Sequence, residues 1–377
     1  MRTPICERLG CELPIFAFSH CRDVIVEVTK AGGFGVLGAA TGSPEQLEME
    51  LKWIDDHVDG KPYGVDVIIP TTYDKAAEAA SLDPGSLIPK EQRDFMEGLL
   101  EAEGVPQLPQ GERQRIHDEI AHGRGNMTPD GARRLVQTAL KHPNVKMIVS
   151  ALGAPPADVV AELKAKGIVI GALCGKAQHA VKQVAAGVEV IIAQGTEAGG
   201  HTGDIATMVL VPDVVRVVSK DIAVLAAGGI TSGSQIAASL ALGAQGVWCG
   251  SVWLGTRESE LDPFEKEVLF AARSEDAVRR KARTGKTVRM LKSKLSEAWE
   301  QPGAPAYLPT PLQGILYNES HARVVRAKRA DLYSFPVGQA VGSMTAETSV
   351  KDVMYRMQLE YADTMERLDA LNSGNQD

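Results

Sequence analysis

Eight short apolar runs between residues 14 and 250 are the feature that most restricts the fold of this chain. Each run is rich in β-branched residues and is followed by a polar or helical stretch, as parallel strands are. Eight strands are the number that a closed (β/α)8 barrel, the TIM barrel, needs. The sequence therefore predicts an α/β fold of this type. The predicted strands are residues 14–18, 34–37, 63–68, 145–149, 168–173, 188–193, 222–227 and 246–250.

Helical patterns separate most of these strands. One interval, residues 69–131, is too long for a simple crossover and is rich in Glu, Gln, Pro and Gly. Residues 91–103 and 112–122 within it combine helix formers with apolar spacing, which favours an inserted helical lid or subunit contact over a disordered loop. The other predicted helices are residues 23–31, 43–58, 156–166, 176–186 and 233–242.

The remaining length suggests additions to the barrel. We expect the barrel in residues 1–260, with the insertion at about 70–130, and a smaller, mostly helical cap segment in 261–335. Residues 336–377 are expected to return to the barrel and end in a helix. Its apolar positions from Val350 to Leu368 have helical spacing, which favours packing on the chain's own barrel over binding a partner.

Composition excludes several classes of protein. The formal net charge of −8 argues against a nucleic-acid surface, since phosphate contacts need a basic face. No apolar run approaches the length of a membrane span, and the N-terminus has no signal-peptide pattern, so we expect a cytoplasmic protein. The five cysteines do not suggest a disulfide framework, and their spacing makes a poor metal site, so no metal is predicted.

The segment 193–203, Ala-Gln-Gly-Thr-Glu-Ala-Gly-Gly-His-Thr-Gly, is the strongest candidate for chemistry. It places His201 on glycine-rich backbone directly after a predicted strand, where an imidazole can exchange a proton near neutral pH. The alternative is a tight turn whose histidine is merely exposed. Two later strand ends, Gly228-Gly229 and Gly250-Ser251, suit a phosphate held by backbone N–H groups.

Residues 279–286 form a basic stretch, Arg-Arg-Lys-Ala-Arg-Thr-Gly-Lys. Its Gly-Lys-Thr ending resembles a P-loop, but Arg280 stands where the first glycine is required. We expect a solvated basic helix and turn here, with direct phosphate binding as the alternative.

Four motifs together resemble those of the nitronate monooxygenases, also called 2-nitropropane dioxygenases. They are residues 193–203, Ala-Gly-Gly-Phe-Gly at 31–35, Ala-Ala-Gly-Gly-Ile at 226–230 and Arg-Thr-Gly-Lys-Thr-Val-Arg at 283–289. The similarity extends from Pro4 to about Gly342, apart from the insertion. The Glu-Ala-Gly-Gly-His core is shared with flavin-dependent enoyl-thioester reductases.

The resemblance implies an FMN flavoprotein, in which the cofactor supplies the redox chemistry and the protein supplies binding and a base. Its phosphate would lie on Gly228, Gly229, Gly250 and Ser251, and His201 would face the flavin as the catalytic base. The other residues expected to line the cofactor are Ala17, Phe18, Asp66, Lys176, Gln194, Gly199, Gly200 and Gln339.

Two departures from the family pattern concern the substrate more than the cofactor. The chain has Ala-Phe-Ser-His at 17–20 where relatives have Gln-Ala-Pro-Met, which places His20 beside the flavin. It also has Asp66 where relatives usually have asparagine. A carboxylate there only accepts hydrogen bonds and would be unfavourable beside reduced flavin unless it is protonated or paired, with Lys176 as the expected partner.

Three functions follow as hypotheses. The first is oxidation of alkyl nitronates or nitroalkanes with O2, giving a carbonyl product and nitrite. The second is an FMN-dependent NAD(P)H reductase of enoyl thioesters or quinones. The third is a non-catalytic flavin- or phosphate-binding barrel. The expected partners are a small anionic substrate such as a nitronate, O2 and, for the second hypothesis, NAD(P)H, within a chain that could form a homo-oligomer.

Overall fold

The computed structural model describes residues 1–39, 42–69, 87–126 and 128–373, and within them eight parallel strands close into a barrel. All eight predicted strands are present, each within two residues of its expected bounds, so the predicted TIM barrel is confirmed. The strands are β1 (Ile15–Ser19), β2 (Phe34–Gly38), β3 (Tyr63–Val67), β4 (Val145–Ser150), β5 (Val169–Cys174), β6 (Val190–Gln194), β8 (Ala223–Ala227) and β9 (Gly246–Cys249), with β7 (Gly200–His201), β10 (Ala277–Arg280) and β11 (Val288–Leu291) in a second sheet.

Side chains alternate along each barrel strand between two cores. The outward side chains pack against the surrounding helices, as Ile15, Ala17 and Leu37 do. The inward ones fill the barrel and are almost all apolar or glycine, for example Phe16, Phe34, Met147, Ile192 and Leu225. Because the strands are parallel, their carboxyl ends open at one mouth, where TIM-barrel enzymes build their active sites.

The predicted helices between strands are confirmed, all within two residues except 112–122, for which the observed helix is longer, Gln110–Asn126. Helix α1 lies before the barrel, and its Ile5, Cys6 and Leu9 join the core inside the barrel. No helix in the described part of the chain is long and apolar enough to cross a membrane. The helices are α1 (Pro4–Leu9), α2 (Arg22–Lys30), α3 (Pro44–His57), α4 (Lys90–Ala102), α5 (Gln110–Asn126), α6 (Pro129–Ala139), α7 (Ala157–Ala165), α8 (Ala177–Ala185), α9 (Thr207–Val217), α10 (Gly233–Ala241), α11 (Pro263–Ala271), α12 (Lys294–Ala298), α13 (Leu312–Arg326) and α14 (Val350–Ser373).

The insertion and the segment after the barrel share a second hydrophobic core. Ile88, Met96 and Leu100 of the insertion pack with residues of the later segment such as Leu316 and Val324. We call the unit formed by residues 87–126 and 261–344 the cap. The insertion thus packs within its own chain, while its expected role as a lid or subunit contact stays a prediction. Residues 70–86 of the predicted insertion lie outside the described residues, and the expected division at 260 and 335 stays a prediction.

A buried arginine joins the two halves of the cap. Arg323 on α13 is 1% exposed. Its guanidinium donates to the Glu97 carboxylate at 2.9 Å and to the carbonyl oxygens of Val105 and Pro106 at 3.0 Å each. These three acceptors belong to the insertion, so one side chain satisfies polar groups more than 200 residues away in sequence.

The basic stretch 279–286 is not the predicted helix. Arg279 and Arg280 end strand β10, and a turn leads to β11, which pairs antiparallel with both β10 and β7. Gly285 has a φ of +78°, and a Cβ there would lie 2.1 Å from the Leu308 carbonyl oxygen, so the turn requires glycine. The apolar side chains of Val288 and Met290 enter the cap core, and this tertiary packing overrides the helix propensity of the lysines and arginines.

The C-terminal helix packs on the barrel as predicted. Val350, Val353, Met354 and Met357 of α14 are buried in the outer core of the barrel. The helix also lies beside α10, where the Glu360 carboxylate accepts the Gly233 N–H at 2.8 Å.

Replacing Arg323 tests whether the cap depends on this contact. Arg323→Met leaves the Glu97 carboxylate and two carbonyl groups without their donor, and we expect a loss of about 3 kcal/mol in the free energy of unfolding. Arg326→Met is the matched control, because Arg326 lies one turn further along α13 and makes an exposed ion pair with Glu112. It should cost less than about 1 kcal/mol. Chemical denaturation of both variants measures the difference, and equal losses would refute the role given to Arg323.

Candidate active site

The segment around His201 and two other glycine turns meet at the mouth of the barrel. The Gly338 N–H donates to the Ser251 hydroxyl at 2.9 Å. The next residue, Gln339, donates its N–H to the Glu197 carbonyl oxygen at 2.9 Å. A Cβ on Gly199 would lie 2.8 Å from the Gly338 nitrogen, so the two backbones are in contact. The structure thus places the expected residues Gly199, Ser251 and Gln339 together.

Open backbone at the mouth is confined to a few glycines. Gly228 and Gly229 turn the chain after β8 with φ of +110° and +74°, a conformation that favours glycine. Gly250, at the end of β9, has only the Phe18 carbonyl oxygen near its virtual Cβ, at 4.0 Å, and Gly200 has no atom within 4 Å. A ligand can therefore approach the main chain closely at Gly250 and Gly200, whereas a Cβ on Gly228 would lie 2.8 Å from the Thr207 hydroxyl.

The helix that follows Gly229 is capped by the protein itself. Gln235 accepts the N–H groups of Thr231 and Ser232 through its side-chain oxygen, at 2.7 and 3.1 Å. Glu360 accepts the N–H of Gly233. Any phosphate at this strand end would therefore rely on the glycine turns rather than on the first turn of α10.

His201 lies on β7, where the barrel mouth meets the cap. It pairs with Val288 of β11, and its Nε2 lies 2.9 Å from the Thr284 hydroxyl. The ring is exposed, yet the protein atoms around it lower the pKa of His201, and the nearby Lys286 and Arg283 lower it further. The imidazole is therefore neutral at neutral pH and has a lone pair available to accept a proton.

The turn between β10 and β11 supplies the cations whose position the sequence did not reveal. Arg283 stacks over the Tyr317 ring, with its Cζ 5.3 Å from the ring centre, and its Nη1 is buried without a hydrogen-bond partner. Lys286 is exposed on the same turn. The two cations beside His201 favour an anion at this site.

Two structural residues in the mouth had no assigned role in the sequence. The Glu197 carboxylate accepts the Thr207 N–H at 2.9 Å and the Thr207 hydroxyl at 2.8 Å, and so caps the start of α9. Arg289 is 7% exposed and donates from Nε to the Thr196 carbonyl oxygen at 2.6 Å. Both hold the 196–201 loop in place. Both residues lie in motifs that carry the family resemblance. Their contacts join segments that are distant in sequence, so no local sequence pattern indicates their roles.

Asp66 is the last inward-facing residue of β3 and is 5% exposed. Burial raises its pKa well above the usual range, with no contribution from a neighbouring charge. The expected pairing with Lys176 is therefore wrong. Lys176 is exposed before α8, and no ion pair joins it to Asp66 in the part of the chain that the structure describes. The raised pKa favours the protonated carboxyl group instead.

The first strand contributes an aromatic floor to the mouth. Phe18 stacks on Trp248 with ring centres 6.0 Å apart, and His20 meets the edge of Phe18 at 5.2 Å. The His20 Nδ1 lies 2.9 Å from the Gly38 carbonyl oxygen. Ala17 differs from the expectation, because its side chain is buried in the outer core and only its backbone can reach a ligand. Gln194 is the last residue of β6 and is half-buried. Because side chains alternate along the strand, its side chain faces the inside of the barrel.

A TIM barrel whose mouth carries a neutral histidine, cations and open glycine backbone is typical of an enzyme site. Comparison with known proteins identifies the family: the nitronate monooxygenase model matches residues 20–360. The chain belongs to the nitronate monooxygenase family and is an oxidoreductase of the TIM-barrel type, which confirms the resemblance.

Individual relatives agree with this assignment. A Mycobacterium tuberculosis protein provisionally named a monooxygenase is 47% identical, over 98% of this chain and 99% of its own length. A Staphylococcus aureus protein provisionally named nitronate monooxygenase is 26% identical, over 78% of this chain and 79% of its own. The solved nitroalkane oxidase of Streptomyces ansochromogenes is 26% identical with a TM-score of 0.77, over 97% and 99% of the two chains. FabK from Thermotoga maritima has the same fold, at 24% identity and a TM-score of 0.73 over 98% and 99%.

The pKa of His201 should respond to the charge of Lys286. We expect Lys286→Ala to raise this pKa, because a positive charge that disfavours the imidazolium is removed. Titration of the His201 ring signals by NMR in the protein without ligand measures the shift. Lys281→Ala, an exposed lysine on the same turn that does not influence His201, is the control. An unchanged or lower pKa in Lys286→Ala would contradict the assigned cause.

The buried carboxyl of Asp66 should make stability depend on pH. Its pKa is higher in the folded protein than the value of about 3.9 expected in the unfolded chain, so stability falls as pH rises above about 4. Asp66→Asn removes this cost. We therefore expect the Tm of Asp66→Asn minus that of the wild type to be larger at pH 8 than at pH 5, by at least about 2 °C. The exposed Asp221→Asn variant should show no such change. A Tm difference that is equal at both pH values would show that Asp66 does not titrate as described.

Proposed function

We propose that the protein oxidises alkyl nitronates or nitroalkanes with bound FMN and O2, releasing a carbonyl product and nitrite. The observation that carries this proposal is the position of His201, a neutral imidazole between the glycine-lined mouth of the barrel and the cationic turn of the cap. The family and the nitroalkane oxidase similarity support the reaction type.

The residues at the mouth fit an FMN. The turn at Gly228-Gly229 and the space at Gly250 would hold its phosphate beside the Ser251 hydroxyl, and a side chain at Gly250 would enter this space. Phe18 and Trp248 offer an apolar surface, and Gln194 offers amide hydrogen bonds to the polar edge of the ring system. Bound FMN supplies the electron transfer and the reaction with O2.

The chain's own residues prepare the substrate. The imidazole of His201 accepts the α-proton of a neutral nitroalkane, and its lowered pKa keeps it able to do so at neutral pH. Arg283 and Lys286 then stabilise the nitronate anion that forms. With a preformed nitronate no proton needs to be removed, so the imidazole is required only for orientation.

A reductase of enoyl thioesters or quinones is the alternative within this fold. It would consume NAD(P)H, and the cap would shelter a larger acyl or quinone group. The likeness to FabK concerns the fold alone at this level of identity. Nitrite release with O2 uptake, measured beside NAD(P)H oxidation on the same flavin-loaded protein, separates the two activities.

His201→Ala tests the proposed base. We expect turnover of a neutral nitroalkane to fall by about 10²–10⁴-fold while FMN stays bound in stoichiometric amount. Turnover of the corresponding preformed nitronate should fall less, because that substrate has already lost its proton.

The matched control is His57→Ala, an exposed histidine that ends α3, where the chain enters β3 on the side of the barrel opposite the mouth. Its turnover should equal that of the wild type. If His201→Ala loses the same factor with both substrates, His201 is not the base. If it loses nothing, the base lies elsewhere, and a flavin-loaded wild type without any turnover would instead indicate a binding module.

A further inference from the structure

Asp66 occupies an exceptional position inside the barrel. Among the inward-facing strand side chains in the described part of the chain, it is the one acid or base, and the others are apolar, glycine or the amide of Gln194. An ionisable group in such surroundings costs folding free energy when it is charged. Buried groups of this kind that face a cleft are often functional.

Within the described residues, the carboxyl group of Asp66 has apolar or glycine neighbours on both adjacent strands. Its register neighbours are Gly38 on β2, which has no side chain, and Val149 on β4, which is apolar. The ring of His20 lies against Gly38, and its Nδ1 is 2.9 Å from the Gly38 carbonyl oxygen. No hydrogen bond or ion pair of the Asp66 carboxyl is formed with any residue that the structure describes, and Lys176 across the mouth is exposed.

The protonation state of this carboxyl decides what it offers to a ligand. Burial among apolar side chains raises the pKa of Asp66 well above its ordinary value, which favours the protonated, uncharged form of the group. A neutral carboxylic acid has one O–H donor and one carbonyl acceptor, the same pair that an amide presents. A carboxylate would have acceptors only and would repel an anion.

We propose that Asp66 is a positioning residue that acts as a neutral acid and donates a hydrogen bond to an acceptor atom of the FMN ring system at the barrel mouth. This inference rests on the proposed function, since it assumes that the mouth holds FMN. Because side chains alternate along β3, the Asp66 side chain faces the inside of the barrel, at the strand end where the cofactor is expected. A buried donor without a protein acceptor then gains its partner when the ligand binds.

Three proteins test the role: the wild type, Asp66→Asn and Asp66→Leu. The dissociation constant of FMN is measured for each at pH 7 by quenching of flavin fluorescence, after thermal melting has shown that the variants fold. Asparagine keeps a neutral donor, whereas leucine keeps only the approximate volume. We expect Asp66→Asn to bind FMN within about 3-fold of the wild type and Asp66→Leu to bind about 10-fold more weakly.

The infrared spectrum of the protein gives a second readout that requires no activity. The wild type should show the carbonyl band of a protonated carboxylic acid near neutral pH, and Asp66→Asn should lack it. If Asp66→Leu fails to fold, Asp66→Ala replaces it in the binding series.

The possible orders of affinity discriminate the roles. The neutral donor is supported if the wild type and Asp66→Asn bind FMN equally tightly and Asp66→Leu binds it more weakly. If both variants bind FMN equally weakly, the charged carboxylate is needed. If all three proteins have the same affinity, Asp66 does not touch the cofactor. Either result overturns the inference and leaves the FMN proposal intact. A wild type that binds no FMN overturns the FMN proposal and this inference together.

Discussion

The pairing of β7 with β11 is the contact on which the arrangement of the site depends. Two residues of the barrel loop, Gly200 and His201, form a short strand that joins the sheet of the cap. Through this pairing the barrel supplies the imidazole and the cap supplies Thr284 and its neighbouring cations. Neither unit has a complete site alone. The buried Arg289 strengthens the junction, because it belongs to β11 and bonds the loop that leads to β7.

Three buried ionisable groups show three ways of lowering the cost of burial. Arg323 is paired with a carboxylate and two carbonyl groups. Arg289 has only uncharged oxygens as hydrogen-bond acceptors, and burial lowers its pKa without removing its charge. Asp66 has no charged partner among the described residues, and burial raises its pKa, which favours the uncharged acid. The first two stabilise particular chain positions, whereas the third leaves a polar group free at the mouth.

The barrel could be predicted from sequence because its signals are local. Each strand is a short β-branched run followed by a helix start, and all eight were found within two residues. The basic turn was predicted wrongly, since the lysines and arginines of 279–286 favour a helix, and it is the pairing of β10 with β11 that makes Arg279 and Arg280 part of a sheet. The predicted ion pair between Asp66 and Lys176 is wrong for a similar reason, because positions along the chain do not determine how far apart two side chains lie at the barrel mouth. His201 was identified from its glycines, but its partner Thr284 lies 83 residues away.

The cap is assembled from two stretches of chain that are separated by most of the barrel, with contacts such as Arg323 to Glu97 spanning 226 residues. During synthesis the insertion leaves the ribosome long before α13 exists. At a translation rate of about 5–20 residues per second, the apolar faces of α4 must wait on the order of ten seconds or more for their partners. Over that interval they are a natural target for chaperones. The cap therefore cannot be completed before α13 has been made, and catalytic competence is gained only near the end of translation.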